Sequence, residues 1–63
     1  MDTNYDMDEG RIAVVTTDNS SRFFKGDRLV ILRYIRTTDR YIARRLEGLL
    51  EGEINREDVR FEG

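Results

Sequence analysis

The run Phe23-Phe24-Lys25-Gly26-Asp27, leading straight into Arg28-Leu29-Val30-Ile31-Leu32, constrains this chain more than any other stretch. Glycine beside an aspartate is a turn signal, and the residues that follow favour a pleated, half-buried surface. A strand over Arg28 to Ile35 puts Leu29 and Ile31 on one face and Val30, Leu32 and Tyr34 on the other. With both faces apolar, that strand is expected to be central or strongly curved. The chain has 63 residues, no cysteine and no histidine, so neither a disulfide nor a usual zinc site can staple it. Domains of this size bury only about 60% of the surface their unfolded chains expose. Packing, self-association or a partner must supply the stability. Leu, Ile, Val and Phe make up 17 of the 63 residues, enough for a folded core.

The remaining elements follow from pattern and punctuation. Arg11 to Val15 reads as a first strand, and Thr16 to Ser21 as a loop whose side chains compete for backbone hydrogen bonds. After the Arg28–Ile35 strand and a loop over Arg36 to Asp39, a third strand runs from Arg40 to Leu46. A tight turn at Glu47-Gly48 leads to a fourth strand, Leu50 to Ile54. Asn55 to Asp58 fits a short helical turn, and Val59 to Phe61 closes as a fifth strand. A helix over Tyr41 to Glu51 is the rival, since Ile42, Leu46, Leu49 and Leu50 lie near helical spacing. Gly48 and Gly52 oppose it. The expected fold class is therefore all-β, a five-stranded small barrel with a short helical turn before the last strand. Residues 1–9 are expected to be a flexible acidic tail, and residues 10–63 the barrel.

Charge is segregated along the chain. Residues 1–10 carry four acids and no base; residues 11–45 carry nine bases against three acids; residues 46–63 carry six acids against two arginines. Asp2, Asn4 and Asp6 have the odd spacing of a calcium loop. Met7 at the glycine position and Ala13 at the bidentate-acid position break that pattern, and no metal or other cofactor is expected. A tail folded back over the arginines is the functional variant of the acidic start.

Residues Phe23 to Val59 resemble the Src-homology-3 family. In that family a Phe-x-Lys-Gly-acidic turn precedes alternating core residues, and Phe23, Lys25, Gly26, Asp27, Leu29 and Ile31 fit that pattern. Ala43 lies nine residues before Gly52, Leu46 fits between them, and Ile54 and Val59 take the two later core positions. The resemblance implies a barrel filled mainly by Phe23, Leu29, Ile31, Ala43, Ile54 and Val59. It implies less about function, because the family's groove for proline-rich helices is lined with aromatics. Here Arg40 falls near the signature tryptophan, Asn55 replaces the proline and Asp58 the tyrosine. Val14-Val15-Thr16 stands where the family carries paired tyrosines.

A turn at Leu46-Glu47-Gly48-Leu49 sets Arg44 opposite Glu51, Tyr41 opposite Ile54 and Ala43 opposite Gly52. That leaves Arg33, Arg36 and Arg40 without cross-strand acids. With Tyr34 and Tyr41 interleaved, Arg33, Tyr34, Arg36, Arg40 and Tyr41 form the candidate partner-binding site. A protein partner is expected, in an accessory or regulatory role such as a phage-encoded or bacterial small protein plays on a larger machine. The alternative is a nucleic-acid surface built from the same Arg and Tyr residues. Phe24 and one of Leu49 and Leu50 should point away from the core, where they could join a second copy. Glu51 and Glu53 share a strand face, but nothing sets a nucleophile beside a base, so no enzyme is expected. No apolar run approaches the ~18 residues of a membrane span, and no export signal precedes the charged start. The expected compartment is the cytoplasm, a host's if the chain is viral.

Overall fold

A computed structural model of the chain describes residues 5–62. Five strands, β1 (Ile12–Val15), β2 (Arg28–Ile35), β3 (Arg40–Arg45), β4 (Glu51–Asn55) and β5 (Val59–Phe61), form one antiparallel sheet in the order β4-β3-β2-β1-β5. A 3-10 turn, η2 (Arg56–Asp58), carries the chain from one sheet edge to the other. The fold is all-β, as the alternation of apolar runs and glycine turns predicts. The rival helix is absent: Tyr41 to Arg45 and Glu51 are strand.

The opening turn is tied from both sides. Asp27 accepts the Phe24 N–H on Oδ2 at 2.9 Å, and its own N–H donates to the Phe24 carbonyl at 3.0 Å. Gly26 sits at φ +93°, a conformation that costs a residue with a Cβ, and its N–H reaches the Val15 carbonyl at 2.8 Å. The turn therefore fixes where β2 starts against β1. The β3–β4 register places Tyr41 opposite Ile54, Ala43 opposite Gly52 and Arg44 opposite Glu51, as the turn at Leu46–Leu49 requires.

One irregularity was not legible in the pattern. The β2–β3 pairing shifts between Ile31 and Arg33, so Leu32 is an extra residue without an opposite number. Such a bulge flips the side-chain phase of everything after it. Tyr34, expected on the face opposite Ile31, instead pairs with Tyr41 and packs against the core. The core consists of Ala13, Val15, Phe23, Leu29, Ile31, Tyr41, Ala43 and Ile54. Five of these were expected; Val59 packs half-buried against them. Leu46 is a correction: it lies in the turn after β3 and is 40% exposed, because β3 ends one residue early. Phe24 (75%) and both Leu49 and Leu50 (69% and 36%) are exposed, rather than one of the leucines alone. Leu49 also holds φ +59° beside Gly48, a left-handed conformation that is unfavourable for a bulky side chain.

Of the segment expected as an acidic tail, residues 1–4, with Asp2 and Asn4 of the calcium-like spacing, lie outside the described residues. Tyr5 to Gly10 is docked. A 3-10 turn, η1 (Asp6–Asp8), is closed by the Asp8 N–H on the Tyr5 carbonyl at 3.0 Å. The Gly10 N–H then bonds to the Ile31 carbonyl at 2.7 Å. The cause is aromatic and polar contact together. Four rings run edge to face: Tyr5–Tyr34 at 5.1 Å, Tyr34–Tyr41 at 5.8 Å and Tyr41–Phe61 at 5.9 Å. Such pairs contribute about 0.5–1.5 kcal/mol each beyond their buried area. Guanidinium groups close both ends, with Arg56 4.2 Å from the Tyr5 ring centre and Arg11 3.9 Å from that of Phe61. The Tyr41 hydroxyl, on a fully buried residue, donates to Asp8 Oδ2 at 2.6 Å, and Arg11 holds the other carboxylate oxygen at 2.9 Å.

Tyr41→Phe should lower stability to urea at pH 7 by about 1.5–3 kcal/mol, the net worth of a hydrogen bond to a charged group. Asp8→Ala should also destabilise, by about 1–3 kcal/mol, because it leaves a buried hydroxyl unpaired. The double variant should be less destabilised than the sum of the two, since both remove the same bond.

Candidate functional site

Three segments converge at the corner where β3 begins and β4 ends. Asn19, Ser20 and Ser21 of the loop between β1 and β2 form one bank of a groove of about 120 Å³. Arg40, Glu53, Ile54, Asn55 and Asp58 form the other. The loop takes its shape from its own hydroxyls: Thr17 Oγ1 accepts the Asn19 N–H at 3.1 Å, and Ser20 Oγ accepts the Phe23 N–H at 3.1 Å. Phe23, 2% exposed, pins the loop's far end into the core.

The opposite bank is a hydrogen-bonded run. Arg40 Nε donates to Asn55 Oδ1 at 2.9 Å, and Asn55 Nδ2 donates to Asp58 Oδ2 at 3.2 Å. Asn55 links β3 to η2 because one amide offers both an acceptor and a donor. A close approach also ties the loop to β4. A Cβ built on Gly52 would stand 2.6 Å from Arg22 Cγ and 3.0 Å from Nε. Gly52 is therefore needed for space, so that the Arg22 stem can lie across the inner face of the strand.

A second cluster sits beside the loop between β2 and β3. Asp39, at φ +55°, accepts the Tyr34 hydroxyl on Oδ1 at 2.7 Å and pairs with Arg56 Nε at 3.0 Å. The hydrogen bonds from Arg56 and then from Tyr34 hold the Asp39 carboxyl below the ordinary carboxylate range. The same bond to Asp39, aided by desolvation, raises the Tyr34 hydroxyl above its ordinary value.

The five residues singled out in the sequence do not form one surface. Tyr41 is fully buried and cannot touch a partner, because its side chain faces the core between Tyr34 and Phe61. Tyr34 is half-buried on the same inner face. Arg33 and Arg40 stand exposed on the opposite face, where Arg33 lies across from Ile42 and Arg40 from Ile35. Arg40 is not unpaired, since Asn55 engages it, and Arg36, exposed in the loop, has an interaction of its own. Arg44 and Glu51 are in register but are not an ion pair among the described residues. There, pairing joins Arg11 to Asp8, Arg28 to Glu62, Arg45 to Asp27 and Arg56 to Asp39. Sequence reasoning missed Asn19, Ser20 and Ser21 as site residues. Their signal was the Ser/Asn-rich composition of a loop that faces the Asn55–Asp58 turn.

Comparison with protein-family models, with curated proteins and with solved structures finds no significant match to this chain.

Gly52→Ala should destabilise the fold by about 1 kcal/mol or less, because the clash is with the side chain of the exposed Arg22, which can move. Arg22→Ala in the same chain should recover most of that loss in a urea titration. Because the Asp39 pKa is depressed in the folded state, its stabilising contribution is present above its ordinary value of 3.8 and is lost as pH falls through the lower folded value. The stability gap between the wild type and Asp39→Asn should accordingly be full near neutral pH and close below about pH 3.8, read as Tm against pH. Glu62, held low by its hydrogen bonds to Arg28, leaves a residual acid dependence in that variant.

Proposed function

We propose that this protein is a non-catalytic protein-binding module of accessory or regulatory type, and that its contact surface is centred on the groove between the Asn19–Ser21 loop and the Arg40–Asn55–Asp58 run. The observation that carries this reading is the groove itself, held in shape by hydrogen bonds from both banks. At about 120 Å³ it falls below the ~300 Å³ where ordinary small-molecule sites begin. A shallow polar depression of that size suits side chains offered by another protein's surface. The resemblance to the Src-homology-3 family supports the location. Arg40, Asn55 and Asp58 stand at the positions where that family carries the residues of its peptide groove, and all three line the groove here. Their polar chemistry disfavours proline-rich ligands, which need flat aromatic walls.

The charge pattern favours protein over nucleic acid. Crossing the outer face from β2 to β4, one row reads Arg33, Ile42, Glu53 and the next Val30, Arg44, Glu51. Arg33 and Arg44 each have a carboxylate in their row, and Arg40, in the row Ile35, Arg40, Asn55, is engaged by Asn55, so the face offers no continuous positive track for a phosphate backbone.

A photo-crosslinking residue in place of Asn19 tests the reading in extract from the source cell, with the same residue at Arg60, outside the groove, as control. The expected result is a discrete protein adduct from position 19, insensitive to nuclease and absent from position 60. No adduct, or one that disappears on nuclease treatment, would overturn the reading.

A further inference from the structure

β4 is an edge strand, with β3 on one side and, among the described residues, no strand on the other. The parity of its hydrogen bonding is fixed at both ends. The Arg45 N–H donates to the Leu50 carbonyl at 2.8 Å, and the Arg56 N–H donates to the Asp39 carbonyl at 3.5 Å. Antiparallel pairs alternate between bonded and non-bonded, so Gly52 and Ile54 spend their main-chain groups on Ala43 and Tyr41. Glu51 and Glu53 therefore turn both N–H and C=O away from the sheet. Among the described residues, none of the main-chain hydrogen bonds that join separate segments reaches either of them. The Arg22 stem covers Gly52 on the inner side, the side of Ala43.

The same two residues carry exposed carboxylates on one face, and neither is in an ion pair among the described residues. Main-chain groups and side-chain charges thus coincide at alternate positions, the arrangement that lets an added strand gain affinity from its backbone and specificity from its side chains. A second copy of this chain is the wrong occupant. The antiparallel registers that pair most of β4 with itself set Glu53 against Glu53, or Glu51 against Glu53, and like charges directly opposite are destabilising.

We infer that the free edge of β4 accepts an extended segment of a partner protein by strand addition, and that Glu51 and Glu53 select lysine or arginine at alternate positions of that segment. This rests on the protein-binding reading and names the chemistry of the partner. The groove beside Glu53 then receives residues that flank the added strand.

The test uses the full chain, labelled with nitrogen-15, and the capped peptide Thr-Lys-Val-Lys-Thr. Its titration should move the amide signals of Glu51 and Glu53 and slow their exchange with solvent. Two backbone N-methylated versions, one on the two lysines and one on the valine between them, separate strand addition from other docking. One phase should bind at least tenfold more weakly and the other like the parent. A peptide with glutamates for lysines should also bind at least tenfold more weakly, and E51K/E53K should reverse that preference while its spectrum keeps the dispersion of a folded sheet. No binding of the lysine peptide, equal affinity for the two N-methylated forms, shifts confined to other loops, or a dimer formed through β4 would each overturn the inference. If these peptides fail while the adduct at position 19 persists, strand addition falls and the protein-binding reading stands. If that adduct is missing, the reading itself falls.

Discussion

The bond from the Tyr41 hydroxyl to Asp8 organises this small fold. Tyr41 is the largest fully buried side chain, and a buried hydroxyl must find an acceptor or cost more than the bond would contribute. The strands of the sheet do not provide that acceptor; the segment before β1 does. Bringing Asp8 to Tyr41 also brings Tyr5 to Tyr34 and Arg11 to Phe61, so a single polar requirement lays the segment from Tyr5 to Gly10 against the sheet. For a chain with no disulfide and no zinc site, this added layer supplements a core of eight residues.

The bulge at Leu32 is the second condition. Without it, Tyr34 would fall on the outer face with Val30, and the run of rings would break between Tyr5 and Tyr41. With it, β2 pairs with β1 and β3 through its first half, and its second half turns Tyr34 inward above Tyr41. The outer face is left to Arg33, Ile35, Arg40 and Ile42, and the residues that line the groove keep their separation from the aromatic interior.

The strand positions, to within a residue at their ends, and the β3–β4 register were legible because local signals settle them. Gly26 and Gly48 mark turns, and once the Leu46–Leu49 turn is placed, every cross-strand pair to Arg40 follows. The bulge was not legible, because Val30, Leu32 and Tyr34 are apolar enough for either face and one inserted residue leaves no trace in such a pattern. The docking of Tyr5 was hidden for a different reason. Four acids in ten residues read as solvent-exposed, and the two contacts that decide otherwise, with Tyr34 and Tyr41, join positions about thirty residues apart. The candidate site was legible only in part. Arg40 was picked for charge and does line the groove, whereas Tyr41 was picked as an exposed stacking residue and is core. The spacing did carry the distinction: Tyr41 lies two residues from Ala43 and opposite Ile54, both expected in the core, so alternation along β3 puts it on the inner face and Arg40 on the outer one.

If Tyr41 is the buried post on which the N-terminal segment and the ring run are assembled, its hydroxyl should resist ionisation. Desolvation and the hydrogen bond to Asp8 both push its pKa upward. The direct measurement is a pH titration of the tyrosine ring carbons by NMR, with Tyr41 assigned by its conversion to Phe. Tyr41 should remain protonated well beyond the pH near 10 at which an exposed tyrosine ionises. A Tyr41 that ionises at about that ordinary value in a chain that is still folded would contradict the account.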